Sequence, residues 1–257
     1  MKRILTAIGL IAVAIYLIFW SPAWLFLTAA VLMGLLCYRE FSGLVTGHNI
    51  QPPGIFGVLA GLLLLFSPNN AVPGLSLLVV VALAAALQYR NLRDLLPQVA
   101  CSFLGALYTF APWHFAVLLR GMSVHWLLFA LALNWAGDSA AYYVGKSFGK
   151  HRLAPVVSPK KSWEGAIGSV AGSVVFGLAY MGYFMPAVAL WKIALMAIAG
   201  NIAGQFGDLA ESAMKRGAGV KDSGHILPGH GGILDRVDST LFALPVIYIL
   251  VVILARL

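Results

Sequence analysis

Apolar segments long enough to cross a lipid bilayer follow one another along the whole chain. A helix needs about 20 apolar residues to cross the hydrocarbon core, and the segments here run to roughly 15–25. Only 10% of the 257 residues are charged, whereas soluble domains carry about 25%. The apolar residues form continuous runs rather than alternating with polar ones, which argues against a transmembrane β-barrel. We therefore expect an all-α, polytopic integral membrane protein.

Nine such segments divide the chain. They lie at approximately 4–20, 23–38, 54–67, 74–88, 98–119, 124–145, 165–185, 188–214 and 239–255. The third and fourth are short and could form a re-entrant hairpin instead of two spans. The first resembles a secretory signal, but its apolar run continues to Trp20 and another follows directly, which favours a membrane helix. We expect residues 1–96 to hold about four membrane helices and residues 97–257 the others, with polar loops at 146–164 and 215–238.

The basic residues predict the orientation of these helices. With the N-terminus in the cytoplasm, fourteen of the 17 Lys and Arg residues fall on the cytoplasmic side and three on the outer side. This positive-inside bias supports nine crossings, with the N-terminus in the cytoplasm and the C-terminus outside. It also accounts for the net charge of +8 without a nucleic-acid partner.

The acidic residues are concentrated near the C-terminal end of the chain. Five of the nine Asp and Glu residues lie between 208 and 238. Asp208, Glu211, Ser212 and Lys215 are spaced so that they share one face of a helix. This face is either a polar helix end with a Glu211–Lys215 pair, or part of a site.

A second pair of acids follows on the next helix. If that helix begins just after Gly232, Asp235 and Asp238 share a face in its first turns. Acids from two neighbouring helices would repel each other unless a cation lay between them. Oxygen-only ligands favour a hard ion such as Mg²⁺, which keeps few protein carboxylates and completes its shell with substrate phosphates. The pattern therefore favours phosphoryl or nucleotidyl transfer.

Basic residues and glycines around these acids suggest phosphate binding. Four cations lie among the acids: Lys215, Arg216, Lys221 and Arg236. "SPKKSWEG" adds Lys160, Lys161 and Ser162 before a helix start, where free N–H groups favour anions, although topology alone also explains these lysines. Gly229, Gly231 and Gly232 allow close approach of the backbone to phosphate. Elsewhere, the small-residue spacing of Gly168 with Gly172 and of Gly200 with Gly204 favours close helix packing.

Residues 212–238, "SAMKRGAGVKDSGHILPGHGGILDRVD", resemble the signature of the phosphatidate cytidylyltransferases, or CDP-diacylglycerol synthases. Every fixed position of that signature is filled. "SPKKSWEG" resembles a second motif of the family, in which Thr is commoner than Ser at position 162. The resemblance covers about 134–239, and the first hundred residues match only in being hydrophobic.

The resemblance implies that CTP and phosphatidic acid react to give CDP-diacylglycerol and pyrophosphate, with Mg²⁺. It implies a homodimeric enzyme in the lipid bilayer, and we expect the bacterial inner membrane. The orientation predicted from the basic residues places its active site on the cytoplasmic side. The resemblance also implies that Asp208 and Asp235 hold the metal centre, to which a second cation such as K⁺ can belong.

The remaining residues receive roles on this hypothesis. Asp222 and Asp238 assist the two metal ligands, Lys221 is a catalytic residue that holds substrate phosphate, and Asp138 and Glu211 line the site. Residues expected to bind substrate phosphates are Lys160, Lys161, Ser162, Ser212, Lys215, Arg216, His230, Gly231, Gly232 and Arg236. His230 could instead stabilise the turn, and Asp138 could pair with a cation or cap a broken helix.

Two other functions fit parts of the sequence. A transporter would place ionisable groups near the middle of the membrane, often within inverted repeats, whereas most acids here lie at helix ends and no repeat is visible. CTP-dependent transfer to another lipid phosphate, or to a lipid alcohol, is compatible with the signature, because the signature describes only the polar site. The sequence leaves open whether residues 223–230 form a fixed wall or a lid.

Overall fold

The computed structural model describes residues 2–51, 54–66, 71–87, 92–227, 229 and 231–254. Ten α-helices and one β-hairpin account for most of these described residues. The helices are α1 (Lys2–Phe19), α2 (Ala23–Gly47), α3 (Ile55–Phe66), α4 (Ala71–Ala86), α5 (Leu95–Thr109), α6 (Ala111–Met122), α7 (Val124–Phe148), α8 (Trp163–Phe184), α9 (Leu190–Gly217) and α10 (Leu234–Leu254). The strands are β1 (Arg152–Ala154) and β2 (Ser158–Ser162).

Five stretches of the described chain are long and apolar enough to cross a membrane, which supports the predicted membrane class. They are Ala23–Gly47, Leu95–Met122, Trp163–Phe184, Leu190–Gly217 and Leu234–Leu254. The helix α3 has only 12 residues, about 18 Å at 1.5 Å per residue, so it is shorter than the hydrocarbon core of about 30 Å. The nine crossings and the orientation of the termini remain predictions.

The predicted fifth segment, 98–119, consists of two helices. It is divided at Phe110, where α5 ends and α6 begins. Pro112 explains the break, because proline has no N–H to donate to the carbonyl four residues earlier and its ring clashes with that carbonyl. The prediction of one continuous segment was wrong, because this proline interrupts an otherwise continuous apolar run.

The predicted polar loop 146–164 contains regular structure. The helix α7 continues through Phe148, and β1 and β2 then pair as an antiparallel hairpin, with Arg152 opposite Ser162. The expectation of a purely helical protein is therefore corrected by one short hairpin. The second predicted loop, 215–238, is also shorter than expected, because its first residues belong to α9 and its last to α10.

The chain divides into two compact units. The first unit comprises Met1–Val117 and Met214–Arg236, and the second comprises Leu118–Ala213 and Val237–Leu257. Each unit is therefore assembled from two separate parts of the sequence.

Glycines allow the helices of the first unit to pack closely around Phe110, which is fully buried. A Cβ at Gly34 of α2 would lie 2.5 Å from the Phe110 ring, and a Cβ at Gly61 of α3 would also overlap that ring. A Cβ at Gly105 of α5 would lie 2.8 Å from Phe41. These positions have no room for a larger side chain.

The second unit uses its glycines in the same way. A Cβ at Gly168 of α8 would lie 2.8 Å from Val144, and one at Gly172 would lie 2.5 Å from Ala140. In α9, a Cβ at Gly200 would lie 2.6 Å from Ile247. The prediction that this spacing serves close helix packing is confirmed.

A substitution at Gly61 tests the packing of the first unit. We expect Gly61→Ala to cost about 1–3 kcal/mol, because the Phe110 ring must move to admit the methyl group. The melting temperature in detergent, followed by tryptophan fluorescence, should fall by several degrees. Gly43→Ala is the matched control, since nothing lies within 4 Å of a Cβ there. Equal melting temperatures for the two variants would contradict this packing.

Candidate active site

The first charged cluster lies in the second unit. We call it the cavity cluster, and it consists of Asp138, Lys160, Lys161, Asp208 and Ser212. The Lys161 ammonium forms an ion pair with Asp208 Oδ2, and Ser212 Oγ donates to Asp208 Oδ1 at 3.3 Å. The Lys161 and Asp208 side chains are 29% and 32% exposed. Asp138 lies within electrostatic reach of both.

A cavity of about 250 Å³ adjoins this cluster. Its polar lining comes from α7, β2, α8 and α9. The lining includes Asp138, Lys160, Lys161, Ser162, Ser169 and Gln205. A cavity with two lysines on one wall can hold an anionic group, and its volume is enough for a small polar moiety.

The β-hairpin sets the position of the two lysines. Its end is fixed by Glu164 in the first turn of α8, which accepts hydrogen bonds from the backbone N–H groups of Lys150 and His151 at 3.2–3.3 Å. The His151 ring also pairs with Glu164 at 2.7 Å. Glu164 was not among the predicted site residues, although an acid in the first turn of a helix is a recognisable signal.

Ser162 acts as the N-cap of α8 and is buried. Its Oγ accepts from Gly165 N at 3.1 Å, and Trp163 N donates to the carbonyl of His151. These two N–H groups are therefore already bonded, so the helix start offers less to an anion than the sequence analysis expected. Anion binding at this position is therefore expected from the lysine side chains rather than from the helix start.

The second charged cluster lies in the first unit. We call it the anchor cluster, and it consists of Glu40, Lys215, Ser223, Gly232 and Asp235. Lys215 Nζ donates to Asp235 Oδ1 at 2.6 Å, and the two side chains are only 11% and 5% exposed. Removing one partner of such a buried pair typically costs about 3–5 kcal/mol, because the other charge stays buried.

The other carboxylate oxygen of Asp235 organises the turn before α10. Asp235 Oδ2 accepts from Gly232 N at 2.8 Å and from both Ser223 N and Ser223 Oγ at 2.9 Å. This side chain therefore reaches back to the N–H groups that precede its own helix, as in a capping box. The predicted start of the helix just after Gly232 is confirmed, since α10 begins at Leu234.

Glu40 of α2 completes the anchor cluster, and it was not among the predicted site residues. Its Oε1 accepts from Ile233 N at 3.0 Å, and its Oε2 accepts from Leu234 N at 2.7 Å. Ser223 Oγ lies 3.1 Å from Oε2, so the one hydroxyl hydrogen of Ser223 is shared between Glu40 and Asp235. Glu40 is only 5% exposed. An acid near the end of an apolar segment was the available signal, because buried carboxylates need partners.

Two glycines of the signature are explained by these carboxylates. Gly231 has φ +79°, and a Cβ there would lie 2.9 Å from Asp235 Oδ2. A Cβ at Gly232 would overlap Glu40 Oε2 and Ser223 Oγ. The chain therefore needs glycine at both positions so that its backbone can lie against the carboxylates. The close approach of these glycines to phosphate stays a prediction.

The helix α9 ends as a Schellman motif next to this cluster. Val220 N donates to the carbonyl of Lys215, and Gly219 N donates to that of Arg216, with Gly219 at φ +72°. Arg216 Nη1 donates to the carbonyl of Val220 at 3.2 Å. The motif fixes where the chain leaves α9 and begins residues 221–235, which we call the signature segment.

The other predicted residues take the following positions. Lys221, Asp222 and Arg236 are exposed, and Asp238 is partly exposed on α10. Glu211 is fully buried on α9, on the same helix as Asp208, Ser212 and Lys215, as the spacing predicted. His230 lies outside the described residues.

The donor chemistry of both clusters fits Mg²⁺. Asp208 and Asp235 offer carboxylate oxygens and Ser212 a hydroxyl, all hard donors. Within the described part of the chain, no three or more His, Cys, Asp or Glu side chains are grouped so that they could hold a metal ion. Mg²⁺ does not need such a group, because it is commonly bound by one or two carboxylates with water and substrate phosphates.

Comparisons with known proteins agree with the sequence signature. A family model described as "Cytidylyltransferase family" matches residues 1–254. Proteins named phosphatidate cytidylyltransferase from Staphylococcus haemolyticus and Staphylococcus saprophyticus are each 35% identical to the chain, over 97% of it and 98% of their own length. The protein of that name from Staphylococcus aureus strain COL is 34% identical with the same coverage. The chain therefore belongs to the cytidylyltransferase family.

Proposed function

We propose that this enzyme transfers CMP from CTP to phosphatidic acid, giving CDP-diacylglycerol and pyrophosphate for phospholipid biosynthesis. The structural observation that carries the proposal is the Lys161–Asp208 pair beside a cavity with a second lysine. Relatives that share 33–35% identity over almost the whole chain are named for this activity. The five apolar stretches would place the enzyme in the bilayer, where its lipid acceptor is found.

The reaction is an in-line displacement at phosphorus. An oxygen of the phosphatidic acid phosphate attacks the α-phosphorus of CTP, a new P–O bond forms, and the bond to pyrophosphate breaks. The attacking oxygen is already anionic near neutral pH, so no strong general base is required. Catalysis then depends on alignment of the two substrates and on neutralisation of phosphate charge.

The lysines of both clusters are suited to that neutralisation. Lys160 and Lys161 would hold nucleotide phosphates at the cavity, and Lys215 and Arg216, with Lys221 and Arg236, would hold phosphates of either substrate. In the free chain, Lys161 and Lys215 are paired with aspartates. A bound phosphate can replace the aspartate as the partner of each ammonium, because it is also negatively charged and its oxygens are stronger acceptors.

Asp208 and Asp235 would hold Mg²⁺, assisted by Asp222 and Asp238, and K⁺ is a candidate second cation. When bound, Mg²⁺ supplies positive charge to the phosphate oxygens on which negative charge develops. With the aspartates engaged in this way, Lys161 and Lys215 would be available to phosphate.

We further propose the membrane arrangement. The chain crosses the bacterial inner membrane about nine times, with its N-terminus and active site on the cytoplasmic side, where CTP is present. The excess of basic residues in the expected cytoplasmic loops supports this orientation. We also propose a homodimer.

A transfer assay tests the proposed function. Purified enzyme in detergent is incubated with labelled CTP and a panel of lipid phosphates and lipid alcohols, with and without Mg²⁺. We expect labelled CDP-diacylglycerol only with phosphatidic acid and only with Mg²⁺. Product with another acceptor but none with phosphatidic acid would refute the assigned substrate, and no product with any acceptor would refute the transfer activity.

Neutralising either partner of the ion pair in the cavity cluster should slow the reaction. We expect Lys161→Gln and Asp208→Asn each to lower kcat/KM about 100-fold, which corresponds to about 2.7 kcal/mol of transition-state stabilisation. Stability should change little, because both side chains are about one-third exposed. The control is Lys150→Gln, an exposed lysine just before the hairpin, which should retain full activity. Activity within twofold of wild type for either cluster variant would contradict these roles.

The role of Asp235 needs a test that separates metal binding from folding. Asp235→Asn should abolish transfer and also lower the melting temperature, because Lys215 would remain buried without its charge partner. The double variant Lys215→Met with Asp235→Asn should recover much of the lost stability yet remain inactive over a wide range of Mg²⁺ concentration. A folded Asp235→Asn enzyme with near wild-type activity at limiting Mg²⁺ would exclude Asp235 as a metal ligand.

A further inference from the structure

The helix α10 begins without an N-cap of its own. Ile233 precedes its first residue and has no side-chain acceptor, so the N–H groups of Ile233 and Leu234 need an acceptor from elsewhere. The carboxylate of Glu40, which lies 193 residues earlier in the sequence, accepts from both. A side chain of α2 therefore caps the helix that carries Asp235.

The helix α2 also contacts the other end of the signature segment, where the chain leaves α9. The His48 ring, at the C-terminal end of α2, lies 3.0 Å through Nε2 from the carbonyl of Met214 in α9. That carbonyl can only accept, so Nε2 donates. A Cβ at Gly47 would lie 2.7 Å from the Ala218 side chain. The last two turns of α2 thus hold the segment where it leaves α9 and where it enters α10.

We infer that Glu40 is a positioning residue for the transfer reaction, which holds the described residues 221–227 and 231–235 in place and orients Asp235 through Ser223. The Ser223 hydroxyl lies within hydrogen-bond distance of both carboxylates, at 3.1 Å from Glu40 Oε2 and 2.9 Å from Asp235 Oδ2. The kinetic part of this inference rests on the proposed function, because the segment carries Lys221, assigned there to substrate phosphates, and Asp235, assigned there to Mg²⁺.

The geometry requires a carboxylate at this position. Both oxygens of Glu40 accept backbone hydrogen bonds, so an amide would place its NH₂ group against an N–H donor. A Cβ at Gly224 would lie 2.5 Å from Glu40 Oε1, and one at Gly232 would overlap Oε2. The backbone therefore closes around this side chain from two directions, which leaves little freedom for another acceptor.

Kinetics of Glu40→Gln test the inference. A looser signature segment should weaken the binding of substrate phosphates, so we expect the KM for CTP to rise about tenfold together with a fall in kcat. A variant that only folds less completely would lower the apparent kcat in proportion to its active fraction and leave KM unchanged. Ser223→Ala, a milder change, should raise the KM for CTP about threefold.

The combination of the two substitutions tests the route through Ser223. If Glu40 acts on Asp235 through this hydroxyl, the double variant should lose less than the product of the two single losses. Asp94→Asn is the control, because this carboxylate of the same unit accepts a hydrogen bond from Gln51 away from the anchor cluster. It should retain wild-type kcat and KM.

Two outcomes would overturn the inference. One is a KM for CTP within twofold of wild type in both Glu40→Gln and Ser223→Ala, whatever happens to kcat. The other is a strictly multiplicative loss in the double variant, which would remove the route through Ser223. If the wild-type enzyme transfers no CMP, the proposed function fails separately, and the thermal shift produced by CTP then decides the inference. That shift should be present in wild type and reduced in Glu40→Gln.

Discussion

A carboxylate buried among apolar helices is stable only where hydrogen-bond donors surround it, and the start of α10 is arranged around this constraint. Three successive N–H groups, of Gly232, Ile233 and Leu234, donate to the carboxylates of Asp235 and Glu40. The positive end of the α10 dipole stabilises both negative charges. Leaving one such buried donor unpaired costs about 1–3 kcal/mol, so the turn, the helix start and the two acids depend on one another.

This arrangement links the N-terminal part of the chain to the signature segment through side chains of α2. The signature resemblance extends over about 134–239, but the family match covers residues 1–254, and α2 supplies Glu40 and His48 to the signature segment. The Lys215–Asp235 pair joins the end of α9 to the start of α10, and these two helices flank the same segment. Short contacts at both ends of a loop limit its conformational entropy. A site that binds flexible phosphates needs this restriction, because it keeps the binding groups aligned.

Periodicity and spacing predicted much of this structure, because these are local properties. They gave the helical segments, the polar face of α9, the start of α10 and the close packing at Gly168 and Gly200. The β-hairpin was missed, since its strands are short and polar and depend on Glu164 for their position. Glu40 was missed for a different reason. Its partners lie more than 180 residues away, and no local pattern indicates which distant N–H groups a buried acid will meet.

Amide hydrogen exchange, measured by mass spectrometry on the full chain in detergent, tests the central claim most directly. It compares wild type with Glu40→Gln. The account predicts that peptides covering residues 223–235 exchange much faster in the variant, while peptides from α8 are unchanged and serve as the internal reference. Equal protection of residues 223–235 in the two proteins would contradict the claim that Glu40 holds the signature segment in place.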